Sequence, residues 1–128
     1  MQLHQLPDHL IPPGYISRDP CALSKYEAER INEAAQGKNI QAWYWYATGY
    51  YEGCGYIIIL RDATWYLHNM SHCSCYGPTC EIDLVTGYPS LDELLAACSD
   101  ECRSHLAPLA EMIRNPNTER KTTTFDFA

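Results

Sequence analysis

Basic residues are scarce in this chain: nine lysines and arginines stand against sixteen aspartates and glutamates, for a formal net charge of −7. That balance repels nucleic-acid phosphates, so direct binding to DNA or RNA is not expected. Long apolar runs are also lacking. The runs AWYWYA and YIIIL are far too short to span a bilayer, and no membrane partner is expected. The opening residues, MQLHQLPDHLIPPGY, carry no basic segment followed by an apolar stretch, so a secretory leader is not expected and a cytosolic location is. In a reducing cytosol the seven cysteines serve as thiols, metal ligands or small hydrophobes rather than disulfides. There is no C-x-x-C pair and no H-E-x-x-H, which removes the common zinc spacings. No glycine-rich loop opens a helix beside a lysine, which removes the usual phosphate cradle.

What is present suits one domain with a single core: 128 residues, 46% of them apolar, with ten tyrosines and three tryptophans. Residues 1–22 hold Pro7, Pro12, Pro13 and Pro20 and read as an extended arm, anchored by Leu10, Ile11, Tyr15 and Ile16. Ser24 and Glu27 spell a capping box, and the spacing predicts a helix to about Gln36 with Gly37 just past its end. Tyr26, Ile31 and Ala34 or Ala35 are expected to face the core, and Lys25, Glu29, Arg30 and Glu33 the solvent.

IQAWYWYATGYY, GYIIILR and TWYLHNM are rich in aromatic and β-branched residues and are separated by EGCG and DAT, read as turns. They predict an antiparallel meander. Trp43 and Trp45 share one face and Tyr44 and Tyr46 the other; Trp65 and Leu67 oppose Tyr66 and His68. Aromatics on both faces imply a sheet covered twice or offering one face to a partner. EIDLV alternates and reads as a short fourth strand. Ser90 and Glu93 open a second helix, whose apolar stripe runs from Leu91 through Leu94, Leu95, Cys98, Cys102, Leu106, Leu109 and Met112 to Ile113. Pro108 is expected to kink or split it near Ser104 and His105. The fold class is therefore α+β: a meander of three or four strands packed by two helices, with a helical segment at 90–114 and a tail at 115–128.

The chemistry-bearing residues gather in SHCSCYGPTC, Ser71 to Cys80. A zinc set would need four thiolate or imidazole ligands, and Cys75 and Cys80 from this loop with Cys98 and Cys102 from the helix are the set weighed. The competing reading, packing as small hydrophobes, is favoured for cysteines on an apolar stripe, and no cofactor is expected. A thiol nucleophile would pair His72 with Cys73, or use His68, but neighbours on an extended chain point apart. A small-ligand pocket would draw on Tyr51, Glu52, Tyr66, His68, His72 and Tyr76. From Glu81 to Glu101 there are six acidic residues and no basic one, a surface that steers basic partners or simply solvates a helix.

The block Thr48 to Pro78 carries Y-E-G-x-G (Tyr51, Glu52, Gly53, Gly55), then W-x-x-H (Trp65, His68), then H-C-S-C-Y-G-P (His72, Cys73, Ser74, Cys75, Tyr76, Gly77, Pro78). In these residues, about a quarter of the chain, it resembles a group of small proteins of bacteriophages and prophages. The resemblance implies an accessory protein made in a bacterial cytosol, and small acidic phage proteins are often inhibitors of host defence. The expected function is a non-enzymatic protein that binds and inhibits a host protein. A small-molecule or nucleotide binder and a zinc- or thiol-dependent enzyme are the alternatives, and self-association is a further option.

Overall fold

The computed structural model describes residues 1–12, 19–49, 52–73 and 77–127. It is α+β, as expected, but the sheet is larger than the local pattern implies. Three long strands form the meander: β3 (Ile40–Gly49), β4 (Glu52–Arg61) and β5 (Thr64–Asn69), each antiparallel to the one before. Two short strands come from the expected arm, β1 (Gln2–Gln5) and β2 (Asp19–Pro20). The expected tail supplies β6 (Lys121–Thr124). The order is β5-β4-β3-β1-β6, with β1 parallel to β3 and antiparallel to β6, and β2 pairing β3 beside Ala47 and Thr48.

The segment 81–85 adds no strand; β5 instead bridges to Tyr88 through Trp65. EGCG is not a turn either, because Glu52 to Gly55 belong to β4. Asp62, at φ 55°, makes the tight turn that DAT announced.

Helix α1 (Lys25–Ala34) begins at the capping box. Ser24 accepts from the Glu27 N–H at 3.2 Å, and the Glu27 carboxylate accepts from the Ser24 N–H at 2.5 Å. It ends two residues earlier than its pattern suggests, where Gln36 and Gly37 turn into the left-handed region. Tyr26 points to solvent at 65% exposure, and Ala28, Ile31 and Ala35 face the core.

The second helical segment is split, but at Cys98 rather than at Pro108. Helix α2 (Leu91–Ala96) is capped by Ser90, and α3 (Asp100–Arg114) is capped by Ser99, whose hydroxyl accepts from the Cys102 N–H at 3.2 Å. Pro108 sits inside an unbroken α3. It has no N–H for the Ser104 carbonyl four residues back. The neighbouring His105 carbonyl accepts the indole N–H of Trp45 at 3.1 Å, which ties this turn to the sheet.

Both faces of the sheet are covered, and strand alternation sorts the side chains between them. Ala42, Tyr44, Tyr46, Ile57, Ile59 and Tyr66 pack under α1 with Ala28 and Ile31. Trp43, Trp45, Cys54 and Ile58 pack under α2 and α3 with Leu94, Leu106, Leu109 and Met112. Leu3 of β1 joins the first cluster, as do the half-buried Phe125 and Phe127, whose rings stack 5.5 Å apart. No helix among the described residues is long and apolar enough to cross a membrane.

Candidate functional site

Strand β5 is one edge of the sheet, and the chain runs on from it in the same extended direction. Met70 donates to the Gly55 carbonyl at 2.9 Å, and His72 exchanges two backbone bonds with Gly53 at 2.9 and 3.0 Å. This extension passes over Gly53, where an added Cβ would lie 2.6 Å from the Tyr46 hydroxyl. At Gly55 it would strike the backbone of Trp45 and Tyr46. Gly53 of the Y-E-G-x-G motif therefore admits the histidine of the H-C-S-C motif, while Gly55 admits the close approach of the β3 backbone, and the two motifs meet at Gly53.

His72 is held from both ring nitrogens. Its Nδ1 lies 2.7 Å from the Cys73 carbonyl, which only accepts, so Nδ1 carries the proton. In the neutral ring Nε2 is then the acceptor, and it meets the Tyr46 hydroxyl. Burial pushes the Tyr46 phenol up to about 12, with the nearby Glu27, Cys21 and Cys54 adding to the rise, so the hydroxyl remains a donor. His68 lies two strand positions before Met70, and its Nε2 donates to the Pro78 carbonyl at 2.9 Å. Burial lowers its pKa against the raising influence of that carbonyl and of Glu81, which favours the neutral ring.

The descending half of the loop is fixed from the other side. Arg30 donates to the carbonyls of Thr79 (3.3 Å) and Cys80 (3.1 Å), and Thr79 is buried. The sequence pattern placed Arg30 on the solvated face of its helix; it is instead the clamp that holds the loop under β5. Between the β5 extension and this loop lies an open cleft of about 420 Å³, lined by His68, Asn69, Ser71, His72, Cys80 and Glu81 among others.

Of the residues singled out from sequence, His68, His72 and Cys80 reach this cleft. Glu52 is exposed at the start of β4, next to Gly53, and does not line it. Tyr66 is a core residue: it is 6% exposed, and its hydroxyl accepts from Arg61 at 2.6 Å beneath the guanidinium. Tyr51, Tyr76 and Cys75 lie outside the described residues. Asn69 was missed, and Ser71 and Glu81 were read as the start of the cysteine-rich segment and of the acidic surface rather than as cleft residues. The only sequence signal for Asn69 is its position at the end of the strand.

The proposed zinc set is not brought together. Cys80 lies on the α1 side, its carbonyl on Arg30 and its sulfur 3.0 Å from the Gly77 N–H. Cys98 and Cys102 pack against the α2 and α3 cluster, with the sheet between. Cys98 donates to the Leu94 carbonyl at 3.3 Å. Burial, with the neighbouring Cys98, pushes the Cys102 thiol up to about 11, which keeps it protonated in the metal-free chain. Among the described residues no three His, Cys, Asp or Glu side chains converge closely enough to hold a metal ion. In this arrangement the His72 Nδ1–H is donated to the Cys73 carbonyl, so that nitrogen does not accept a proton from the Cys73 thiol.

A second cleft, about 500 Å³, lies where Leu6, Asp8, Pro20 and Arg120 meet. Of its two long cations, Arg120 is spent on the carbonyls of Met112, Asn115 and Thr118 at and beyond the end of α3, and Lys121 is exposed at the start of β6. Comparison with protein families, with curated proteins and with solved structures finds no match to this chain.

Proposed function

We propose that this chain is a phage-encoded accessory protein that binds and inhibits a host protein, without catalysis, through the cleft and edge at β5. The observation that carries the reading is the disposition of the sheet. Its two faces are spent on α1 and on α2 with α3, so the aromatic faces are not the contact surface. The β5 edge, by contrast, runs beside an open cleft. The groups there suit contact more than chemistry. His72 has both nitrogens engaged by the scaffold and His68 has one. A net charge of −7 favours a basic or neutral partner surface.

A photocrosslinking residue at Asn69, compared with one at Glu111 on α3, tests this in cells of a bacterial host. One dominant protein adduct from Asn69 and none from Glu111 is the expected outcome. Equal, diffuse labelling from both positions would sink the reading.

A second reading has its own support. A cleft of about 420 Å³ is in the size range of small-ligand pockets, and His68, Asn69, Ser71 and Glu81 offer it polar groups. A ligand bound there only in the fold raises the melting temperature, so a thermal-shift screen across nucleotides and cyclic nucleotides tests it. A hit whose shift disappears in His68→Ala would favour this reading over the first.

A further inference from the structure

We infer that the β5 edge binds an extended peptide segment of the partner protein, which adds to the sheet as an antiparallel strand along Leu67–Ser71. The inference rests on the functional reading above and specifies its mode of contact.

Backbone hydrogen bonding in an antiparallel pair alternates, so every second residue of an edge strand turns its N–H and C=O outward. On β5 the phase is fixed at both ends. Trp65 exchanges two bonds of 2.8 Å with Tyr88, outside the sheet, and so faces outward. Met70 and His72 bond inward to Gly55 and Gly53. Leu67 and Asn69 therefore face outward, and neither has a backbone partner among the described residues. The Ser71 N–H is already taken by the Asn69 side chain at 2.9 Å, which ends the open stretch.

That stretch, Leu67 to Ser71, is about 13 Å long, room for a strand of about five residues. Its geometry is already proven for pairing one step back, where Tyr88 occupies the same edge in antiparallel sense. The opposite edge differs. Strand β6 is four residues, KTTT, wholly exposed and begun by a lysine, the kind of short charged edge that resists pairing. At β5 the cleft supplies a wall instead. A peptide residue opposite His68 would project its side chain to the cleft side, toward Glu81, whose charge favours lysine or arginine there. Its two neighbours, opposite Leu67 and Asn69, would make the backbone bonds.

The probe is a library of blocked heptapeptides with a central lysine or arginine and randomised flanks. Selected binders are then resynthesised with one N-methyl group at each position in turn, and amide exchange is followed on the full chain. The expected result has period two. N-methylation at the residues flanking the central cation abolishes binding, and at the cation itself it leaves affinity within about threefold. Bound peptide slows exchange of the Leu67 and Asn69 amides at least tenfold and leaves that of His68 unchanged. Leu67→Pro, which removes an outward N–H and no inward one, abolishes binding. Should that variant fail to fold, the N-methyl series decides alone.

A library without binders overturns the inference, as does a binder whose N-methyl scan shows no alternation. Protection of Leu67 and Asn69 that rises with protein concentration and needs no peptide also overturns it, in favour of pairing between two copies. The failure of this mode is separable from failure of the functional reading. A crosslinked partner at Asn69 with no alternation removes strand addition only, whereas no crosslinked partner removes both.

Discussion

The Tyr46 hydroxyl and the His72 Nε2 meet directly above Gly53, so that one glycine carries a hydrogen bond between the first strand of the meander and the extension of the third. The bond joins parts of the chain 26 positions apart and holds the entry to the loop against the sheet. Gly53→Ala would drive a methyl group into that bond. A loss of about 1–3 kcal/mol is expected, the usual range for forced overpacking. Tyr46→Phe alone should cost about 1 kcal/mol, the net worth of one hydrogen bond. Because both changes remove the same contact, the double variant should cost clearly less than the sum in urea denaturation. Full additivity would mean that the bond is not the thing Gly53 protects.

Acid should weaken the fold through two histidines. Burial is the largest cause lowering His68, and also His4, where nearby Arg120 adds to the fall and Gln41 opposes it. A histidine with a lowered folded pKa binds fewer protons in the fold than in the unfolded chain. Its contribution is present above the unfolded value of 6.5 and is lost as pH falls from there toward the lowered value. Denaturation midpoints compared at about pH 7.5 and about pH 5 should fall on acidification, and His68→Gln should flatten part of that fall. A wild-type midpoint that rises toward pH 5 would contradict the assignment.

The thiols should react in a fixed order. Cys73 and Cys80 are exposed, Cys98 and Cys102 are half-buried, and Cys54 is buried. Cys102 is also held protonated, with its thiol pushed up to about 11. Iodoacetamide at mildly alkaline pH, followed by peptide mass spectrometry, should label Cys73 and Cys80 first, Cys102 far more slowly and Cys54 last. Early labelling of Cys102 would mean that its helix turn opens readily.

Arg30 should govern the cleft without touching a ligand. Its two donors hold the Thr79 and Cys80 carbonyls from different nitrogens, a fork that lysine does not reproduce. Arg30→Lys should speed amide exchange in 77–82 by at least several-fold and lower global stability by only about 1 kcal/mol. Unchanged exchange there would show that the buried Pro78 and Thr79 suffice to pin the loop.

Local pattern was enough for the meander, for the sorting of Trp43 and Trp45 from Tyr44 and Tyr46, and for the caps at Ser24 and Ser90. These follow from alternation and from side chains that reach their own backbone within a few residues. The cap at Ser99 was equally local, but the apolar stripe runs through it without a gap and hides the break. The enlargement of the sheet was not legible. β1 is four residues long, and its partners Gln41–Tyr44 and Lys121–Thr124 lie far along the chain, so no short window contains the reason for it.

The candidate site divides in the same way. Sequence by itself determined where the polar and thiol groups cluster, and that glycines accompany them, because those are properties of composition. Tertiary structure decided what each group does. Tyr66 went to the core, Arg30 left its solvated face to clamp a loop, and Cys80 was parted from Cys98 and Cys102 by the sheet. Which backbone groups of β5 remain open was decided there too. It depends on Gly53 and Gly55 on one side and Tyr88 on the other, residues that only folding places around the same strand.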